Sequence, residues 1–361
     1  MKRVLFFSLS LIFTLTTQAQ TYWNGTADKN FPGEGTEANP YLISTPEQLA
    51  GLAERTNVDK EDFAGKYIKL TADIYLTDLS QDEESRKQWT PIGAVFYSNY
   101  STDPESGEII GSGRTESSFC GHFDGNGHII YNLYYVPIDD WGGENFEPSV
   151  DELTDVDFSS YNKALFGNIA GGSVKNLTLS NANIAGIGYI ALLACNVKQG
   201  STISNCHVQG KLLSLSASMG GIAGENGGLI EQCSANVELT QGRIGGLVHT
   251  NQETGVIRDC SVSGKAYSTS GDIGGFVHTN LGLIERCSAS VDIQALYGKL
   301  QGATGAAAYR GRWAGGFVFS NMYAIEDGRV SHQGIIRECY ATGSLQSNNG
   351  GMLGGFVLRS F

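Results

Sequence analysis

The sequence predicts an all-β fold, a parallel β-helix with a short helix-containing cap at its amino-terminal end. Three observations support this prediction: an Ile-x-x-Cys group that recurs at a spacing of 27 residues over four units, many Gly with few Pro, and no long helical pattern inside the repeat. Gly accounts for 48 of the 361 residues and Pro for only 7, which is typical of short strands joined by tight turns. With 16 Tyr and 16 Phe, the chain is too apolar to be a disordered glycine-rich linker.

The repeat is clearest in five units, each with a Gly-Gly pair and an Ile-x-x-Cys group. The pairs begin at Gly220, Gly245, Gly274, Gly315 and Gly354. The cysteines are Cys206, Cys233, Cys260, Cys287 and Cys339; the first four are spaced by 27 residues and the last follows after 52. A period near 27 is about one coil of a parallel β-helix, whose successive coils pair about 4.8 Å apart. The longer last step predicts an insertion in one coil.

Equivalent residues of successive coils are expected to lie above one another in columns. Ile stands three residues before each Cys and charged residues stand between, so we place a corner of the coil there. Two residues before Cys the signs alternate through Glu231, Arg258, Glu285 and Arg337. Each exposed pair is expected to contribute ~0–1 kcal/mol and to favour the native register. A second column is predicted from the Asn residues that close each Gly-Gly unit, namely Asn196, Asn226, Asn251, Asn280 and Asn321.

The cysteine column is the strongest candidate for chemistry. Cys in an exported chain suggests disulfides, but parallel side chains about 4.8 Å apart keep their Cβ atoms beyond the usual disulfide separation. A zinc site needs ligands that converge on one point, whereas a column spreads them. We interpret the column as buried free thiols. Disulfides between neighbours and a metal site are the alternatives.

Two histidines also share a column. His249 and His278 stand where other coils carry Gly224 and Phe319. A position that accepts Gly and Phe is typical of a scaffold. The alternative is a pH-sensitive or metal-binding pair. We predict no metal and no cofactor.

The first 19 residues predict a secretory signal segment. A basic start precedes an apolar run, Val4–Leu15, and Thr17 and Ala19 are the small residues that a signal peptidase recognises. The run is short for a membrane span, and no transmembrane segment is predicted. The chain has 24 basic and 37 acidic residues, and cleavage after Ala19 removes two basic ones. This acidic balance argues against nucleic acid as a partner.

The organisation predicted after the signal has three parts. Residues 20–93 form the cap and first coil, 94–160 a coil interrupted by loop insertions, and 161–361 the repeated coils. In the cap, Thr45, Pro46 and Gln48 predict the start of an amphipathic helix over Glu47–Thr56. Placed before the first coil, this helix would close the open end of the stack.

Loop insertions are the candidate binding regions. Phe96–Ser118 and Val136–Asp157 are polar, rich in Gly, Pro and Ser, and are predicted to leave the coil. Long loops on a rigid scaffold often carry binding residues, and aromatic rings can stack on a sugar. The candidates are Asp139, Asp140, Trp141, Tyr309, Arg310, Arg312 and Trp313. An ordinary solvated loop also contains such residues, so that interpretation stays open.

Several segments of the sequence resemble the GLUG-motif repeats of secreted and surface proteins of the Bacteroides type. They are "ANPYLISTPEQLAGLAE", "FAGKYIKLTADIYL", "WTPIG", "CGHFDGNGHIIYNL" and "ALFGNIAGGSVKNLTL", together with the Gly-Gly-apolar and Ile-x-x-Cys units. The resemblance covers most of residues 22–361. It implies a right-handed β-helix and an extracellular, often adhesive role. Some relatives are large proteases that carry such repeats as an accessory region, but their zinc His-Glu-x-x-His signature is absent from this sequence.

The function predicted from these observations is a non-enzymatic, adhesin-like binding scaffold at or outside the cell surface or in the periplasm, with a glycan or a protein as ligand. One alternative is a carbohydrate-active β-helix enzyme, which needs two or three carboxylates on one face. Another is an accessory repeat region of a larger secreted protein. The last coil ends at "GGFVLRSF" without a polar cap, so we expect an end-to-end contact there.

Overall fold

The computed structural model describes residues 21–98, 101–102, 109–110, 113–136, 162–214, 217–296, 312–326, 329–347 and 351–360. The predicted signal segment, residues 1–19, lies outside this range. The described chain is mostly β, and its largest sheets are parallel. Among these residues no helix is long and apolar enough to cross a membrane.

Three parallel sheets contain most of the described strands. The long sheet consists of Tyr41–Ile43, Tyr67–Leu70, Ile74–Tyr75, His122–Asp124, Ile129–Tyr131, Tyr134–Tyr135, Ser173–Gly186, Thr202–Ser214, Leu229–Glu231, Ser234–Thr240, Val256–Arg258, Ser261–Ser268, Leu283–Glu285, Ser288–Ala295, Ile335–Arg337, Tyr340–Thr342 and Leu345–Ser347. The second sheet consists of Phe166–Ile169, Ala194–Val197, Ala223–Asn226, Val248–Asn251, Val277–Asn280, Val318–Asn321 and Val357–Ser360. The third consists of Tyr189–Ala191, Ser218–Gly220, Arg243–Gly245, Ile273–Gly274, Ala314–Gly315 and Leu353–Gly354.

Each repeat visits the sheets in the same order. One repeat passes through the long sheet at Val256–Arg258 and Ser261–Ser268, the third sheet at Ile273–Gly274, and the second sheet at Val277–Asn280. Every one of these strands pairs in parallel with its equivalent one repeat later. The chain therefore advances by one strand in each sheet per repeat, which is the pairing that a parallel β-helix requires.

The predicted corner before each Cys is confirmed by the backbone. The residue directly before Cys has a φ between 49° and 53° in five coils, at Asn205, Gln232, Asp259, Arg286 and Glu338. A non-glycine residue in this left-handed region costs about 1 kcal/mol or more. Stacking then brings charges of opposite sign together at the corner.

The predicted alternation of charge is also confirmed. Glu231 pairs in register with Arg258, and Arg258 with Glu285. The Arg258 guanidinium lies 2.7 Å from a Glu231 carboxylate oxygen, and Arg286 lies 2.7 Å from Asp259. Hydrogen bonding from Arg286 lowers the pKa of Asp259. Because these side chains are partly exposed, the pairs specify register more than they add stability.

The cap helix runs over Pro46–Asn57, one residue longer at each end than predicted. The Thr45 hydroxyl accepts a hydrogen bond from the Gln48 backbone N–H at 3.2 Å. Leu49 and Leu52 are fully buried in the main core. The helix follows Tyr41–Ile43, which pairs with Tyr67–Leu70, so its apolar face covers the first strands. A short 3₁₀ helix occupies Glu83–Ser85.

The predicted loop Phe96–Ser118 and the insertion predicted between Cys287 and Cys339 contain antiparallel hairpins, whereas the predicted loop Val136–Asp157 lies, after Val136, outside the described residues. Val95–Ser98 pairs with Gly113–Glu116, and Ser101–Thr102 pairs with Ile109–Ile110. A second hairpin pairs Tyr323–Glu326 with Arg329–Gln333. Both leave the coil and return to it, so the coil tolerates insertion without losing its register.

Candidate functional site

A groove of about 440 Å³ lies on the outer face of the long sheet. Its floor is formed by exposed side chains of successive coils, and one wall is formed by Leu79 and Arg86. The strands beneath alternate exposed and buried residues, as at Asn236, Val237 and Glu238. This volume is within the range of small-ligand sites, about 300–1,000 Å³.

The wall is held against the sheet by Arg86. Its guanidinium donates to the Leu79 carbonyl at 3.2 Å and to the Gln81 carbonyl at 3.3 Å, and lies 5.3 Å from the centre of the Tyr134 ring. Tyr134 is fully buried in a small cluster outside the main core, against which Leu79 packs. The two carbonyls belong to the wall's own segment, so the wall is anchored to the sheet by the packing of Leu79 and by the contact of Arg86 with Tyr134.

Basic side chains outnumber acidic ones in the groove, because Arg86, Lys211 and Lys265 line it with Glu238 as the one described carboxylate. Lys211, Glu238, Lys265 and Asp292 follow in register through four coils. Lys211 lies 3.4 Å from Glu238, and both side chains are more than half exposed. Asp292, beyond the groove, accepts hydrogen bonds from the Ser344 backbone N–H at 2.9 Å and hydroxyl at 2.7 Å, which lower its pKa.

Side-chain amides line the floor beside these charges. Gln209 and Asn236 pair in register on adjacent coils, and both are exposed. Asn181 donates to the Asn132 side chain at 2.9 Å. Within the described chain no hydrogen bond engages the side chain of Gln209 or Asn236. Their amides are therefore available to a ligand, each with donors and an acceptor.

A pair of tyrosines precedes the groove along the stack. The rings of Tyr75 and Tyr131 are parallel, with centroids 4.6 Å apart. Ser180, next to the groove residue Asn181, pairs in register with Tyr131. Ser180 therefore stands at the register position where a third aromatic ring would extend the stack.

The two predicted stacking histidines do lie in one column. The rings of His249 and His278 are stacked at 4.6 Å, and Phe319 lies 4.6 Å from His278. Their Nδ1 atoms lie 2.8 Å and 2.9 Å from the hydroxyls of Thr250 and Thr279. Both Nε2 atoms are buried and have no hydrogen-bond partner among the described residues.

Burial keeps this histidine stack, His249 and His278, in the neutral form. It lowers the pKa of His278 to about 3, with a further contribution from the nearby Arg243 charge. The pKa of His249 is lowered by burial, and then by His278 and Arg243. Among the residues the structure describes, no group of three or more His, Cys, Asp or Glu could hold a metal ion.

Of the predicted loop candidates, the structure describes only two. Arg312 donates to the Thr269 carbonyl at 2.8 Å, and the Trp313 backbone N–H donates to Asp272 at 3.2 Å. The Arg359 guanidinium lies 4.0 Å above the Trp313 ring, so one face of that ring is covered. The candidates Asp139, Asp140, Trp141, Tyr309 and Arg310 lie outside the described residues.

The asparagine ladder holds for four of its five predicted members. Asn226, Asn251 and Asn280 each donate to the side-chain oxygen of the next member at 2.8–2.9 Å, ending at Asn321. Asn196 was wrongly included: it pairs in register with Glu225, and Val197 takes the place opposite Asn226. Alignment of the repeated motifs places Asn196 in the ladder, but the strand pairing places Asn196 one residue out of register with Asn226.

Asn196 instead belongs to a separate pair with an earlier coil. Its side-chain amide donates to the Asn168 side-chain oxygen at 2.9 Å. Asn168 in turn donates to the Gly93 and Ser117 carbonyls. Side-chain hydrogen bonds between coils therefore continue towards the amino terminus on this side, but they are made by residues outside the ladder.

The cysteine column is formed by free thiols. The backbone N–H of Cys233 lies 3.4 Å from the Cys260 sulfur, and Cys260 and Cys287 repeat this contact with the next member. Each of these sulfurs also points to a backbone carbonyl of an earlier coil, as Cys260 does to Ile230 at 3.7 Å. Hydrogen bonding to the Cys260 side chain, aided by burial, raises the pKa of Cys287 to about 12.

These thiols are expected to resist alkylation in the folded protein. Cys195, Cys206, Cys233, Cys260 and Cys287 are buried, whereas Cys120 and Cys339 are partly exposed. Because the thiolate is the reactive form, iodoacetamide without reductant should label at most the two partly exposed cysteines at neutral pH. In denaturant it should label all seven, as counted by mass spectrometry. Protection of a pair in denaturant, relieved by reductant, would show a disulfide instead.

Comparisons with known proteins give a fold and no family. No family model matches the chain, and no curated protein matches it. The structure resembles the crystal structure of "a putative immunoglobulin A1 protease from Bacteroides ovatus", with a TM-score of 0.52 and 19% identity, over 90% of this chain and 86% of that chain. At such low identity the likeness shows the fold alone, an extended parallel β architecture.

The groove residues were missed by the sequence prediction. A signal was present, since the residues five after the first four cysteines of the column alternate in sign through Lys211, Glu238, Lys265 and Asp292. This column indicates an exposed face, just as the corner column does. The position of Leu79 in the groove wall could not be predicted in this way, because nothing in its local sequence shows which strands it packs against.

Proposed function

We propose that this chain is an extracellular scaffold, a right-handed β-helix of the GLUG-repeat type, that binds an extended glycan without catalysing a reaction. The observation that carries the proposal is the groove on the long sheet. It combines exposed amides, paired charges and an anchored wall in one concave surface. Planar polar side chains of this kind bind the hydroxyl groups of sugars through their donors and acceptors.

The groove lacks the pair of carboxylates that glycoside hydrolysis needs. Glu238 supplies the one carboxylate among the described lining residues, and it is paired with Lys211. Asp292 lies two coils further on, about 9.6 Å away at the usual strand spacing, and its lowered pKa is opposite to what a general acid requires. Binding is therefore favoured over the alternative of a carbohydrate-active enzyme.

A second candidate is an accessory repeat region of a larger secreted protein. The resemblance to a structure named for an immunoglobulin A1 protease favours testing immunoglobulin A1 as a protein ligand beside the glycans.

The test is a binding screen of the mature chain, residues 20–361, on glycans and on host proteins including immunoglobulin A1. For a glycan that binds, the double variant Gln209→Ala/Asn236→Ala should weaken the affinity by about tenfold or more, since two amide contacts are lost. Gln252→Ala, an exposed amide in a turn, is the matched control and should bind as the unaltered chain does.

Two outcomes of the glycan assays would overturn the proposal. One is glycan binding that the double variant leaves unchanged although it remains folded. The other is release of reducing ends from the bound glycan, which would identify an enzyme. Cleavage of immunoglobulin A1 in the same samples, seen by gel electrophoresis, would likewise contradict a non-enzymatic role.

A further inference from the structure

We propose that the cysteine column binds soft monovalent cations, Cu⁺ or Ag⁺, each held in line between the sulfurs of two neighbouring coils. This site is separate from the glycan groove and goes beyond the proposed function. Three features support it: the repeated orientation of the sulfurs, their separation, and the charge balance of the filled column. The five sulfurs leave four gaps between neighbours and belong to Cys206, Cys233, Cys260, Cys287 and Cys339.

The sulfurs repeat one orientation from coil to coil. In Cys233, Cys260 and Cys287 the thiol points to the carbonyl two residues earlier at 3.1 Å. It also points to an Ile carbonyl of the preceding coil at 3.7–3.8 Å. The backbone N–H of each donates to the sulfur of the next member at 3.4 Å. Because these contacts are the same in each coil, neighbouring sulfurs are related by the step from one coil to the next.

This step suits a cation bound to two sulfurs. Successive coils lie about 4.8 Å apart, so a cation midway between two sulfurs is about 2.4 Å from each, close to the ~2.3 Å of a metal–thiolate bond. The side chains point into the core, so each carbon–sulfur bond runs across the stack while the line between sulfurs runs along it. A cation on that line therefore meets the lone pairs of both sulfurs.

The two-sulfur geometry selects the kind of metal. Thiolates favour soft ions such as Cu⁺, and the closed-shell ions Cu⁺ and Ag⁺ accept two ligands in line. Zn²⁺ requires four ligands that converge on one point. A linear site needs only two donors, so it is compatible with the absence, among the described residues, of any group of three or more His, Cys, Asp or Glu that could hold a metal.

The filled column is electrically neutral. Each bound cation replaces one thiol proton, which leaves for the solvent, and the sulfur that loses the proton forms a bond to the cation. The sulfur on the other side of the gap donates a lone pair to the same ion. With all four gaps filled, four thiols have lost a proton and one has kept it, so no net charge enters the apolar core, where an isolated charge would be costly.

Entry to the column begins at its last member. Cys339 is partly exposed, whereas the other four members are buried. The gap between Cys287 and Cys339 is therefore the first to fill, and the inner gaps fill through local opening of the coils. Because each cation displaces a proton, binding weakens as the pH falls.

The test is a titration of the reduced mature chain, residues 20–361, with Ag⁺ in a chloride-free buffer. A background variant, Cys120→Ser/Cys195→Ala, removes the two cysteines outside the column. Native mass spectrometry should show four cations in this variant, with one proton displaced by each. X-ray absorption should show two sulfurs at about 2.4 Å from silver. Cu⁺ supplied without oxygen should reach the same number, and Zn²⁺ should leave the column unfilled.

Two further substitutions distinguish shared sulfurs from independent thiols. Cys260→Ala removes a sulfur with a partner on each side and should lower the capacity from four cations to two. Cys206→Ala is the matched control, because its neighbour on the other side is Leu177, and should lower the capacity from four to three. Thermal unfolding of each variant checks that it remains folded.

Four outcomes would overturn the proposal. They are the loss of one cation in both variants, three or more ligands around silver, filling of the column by Zn²⁺, and uptake of silver only after the chain has been unfolded. None of them bears on the glycan groove, so the proposed function is tested separately.

Discussion

Gly246→Ala is expected to lower the free energy of unfolding by about 3 kcal/mol or more, or to prevent folding, because the new methyl group enters a neighbouring coil. A Cβ built on Gly246 lies 1.9 Å from the Gly275 carbonyl oxygen and 2.9 Å from its carbon. Both atoms belong to backbone that is hydrogen-bonded between coils, so neither can move away without breaking the pairing. Urea unfolding of the purified variant measures the loss.

The same column supplies a matched control. Gly355 occupies the equivalent place in the last described coil, and a Cβ built there meets nothing within 4 Å. Gly355→Ala should therefore unfold within about 0.5 kcal/mol of the unaltered chain. Equal stability of the two variants would contradict the close stacking of successive coils at the Gly-Gly turn.

Acidification from pH 7 to pH 5 is expected to destabilise the protein through the histidine stack. The folded pKa of His278 is about 3, below the value of about 6.5 in an unfolded chain. The unfolded state therefore binds more protons between these values, and stability falls as the pH falls from about 6.5 towards 3. For His278 alone this amounts to about 2 kcal/mol between pH 7 and pH 5, and His249 acts in the same direction.

The double variant His249→Phe/His278→Phe isolates this effect. Phe319 already stacks in the same column, so phenylalanine rings are expected to fit there. Urea midpoints measured from pH 7 to pH 5 should change much less in the variant than in the unaltered chain. A variant with the same pH slope would show that other groups, and not the buried imidazoles, cause the acid sensitivity.

Carboxylates affect the stability of the fold at lower pH, and they are present both in the unaltered chain and in the double histidine variant. The pKa values of Asp259 and Glu285 are lowered chiefly by hydrogen bonds from Arg286 and Arg337. Their contribution to stability is present above their unfolded pKa values, near 4, and is lost as the pH falls further. Burial raises the pKa of Asp272, and this group too is common to both proteins, so the difference between the two pH slopes reports on the histidine stack.

The columns of stacked residues were predictable from the sequence because stacking places equivalent residues at the same position of each coil. The corner and the charge alternation followed from the cysteine spacing of 27, and the stacked histidines followed from the recurring Gly-Gly unit. Where the period is broken, the same reasoning failed. Asn196 occupies the Asn position of the repeated motif, yet it lies one residue out of register with Asn226. The register is set by the pairing of the strands and not by the similarity of the motif.

The sequence by itself determined which residues lie above one another. Each coil pairs with the next coil, so residues that recur at the same position of the repeat stack on one another. Only the tertiary structure decided where a ligand has room. The groove exists because Leu79 packs on the cluster of Tyr134, Val136 and Ala185, the last of which follows it by more than 100 residues in the chain. Such a contact depends on the path of a non-repeating segment over the coils, for which a single sequence provides no periodic signal.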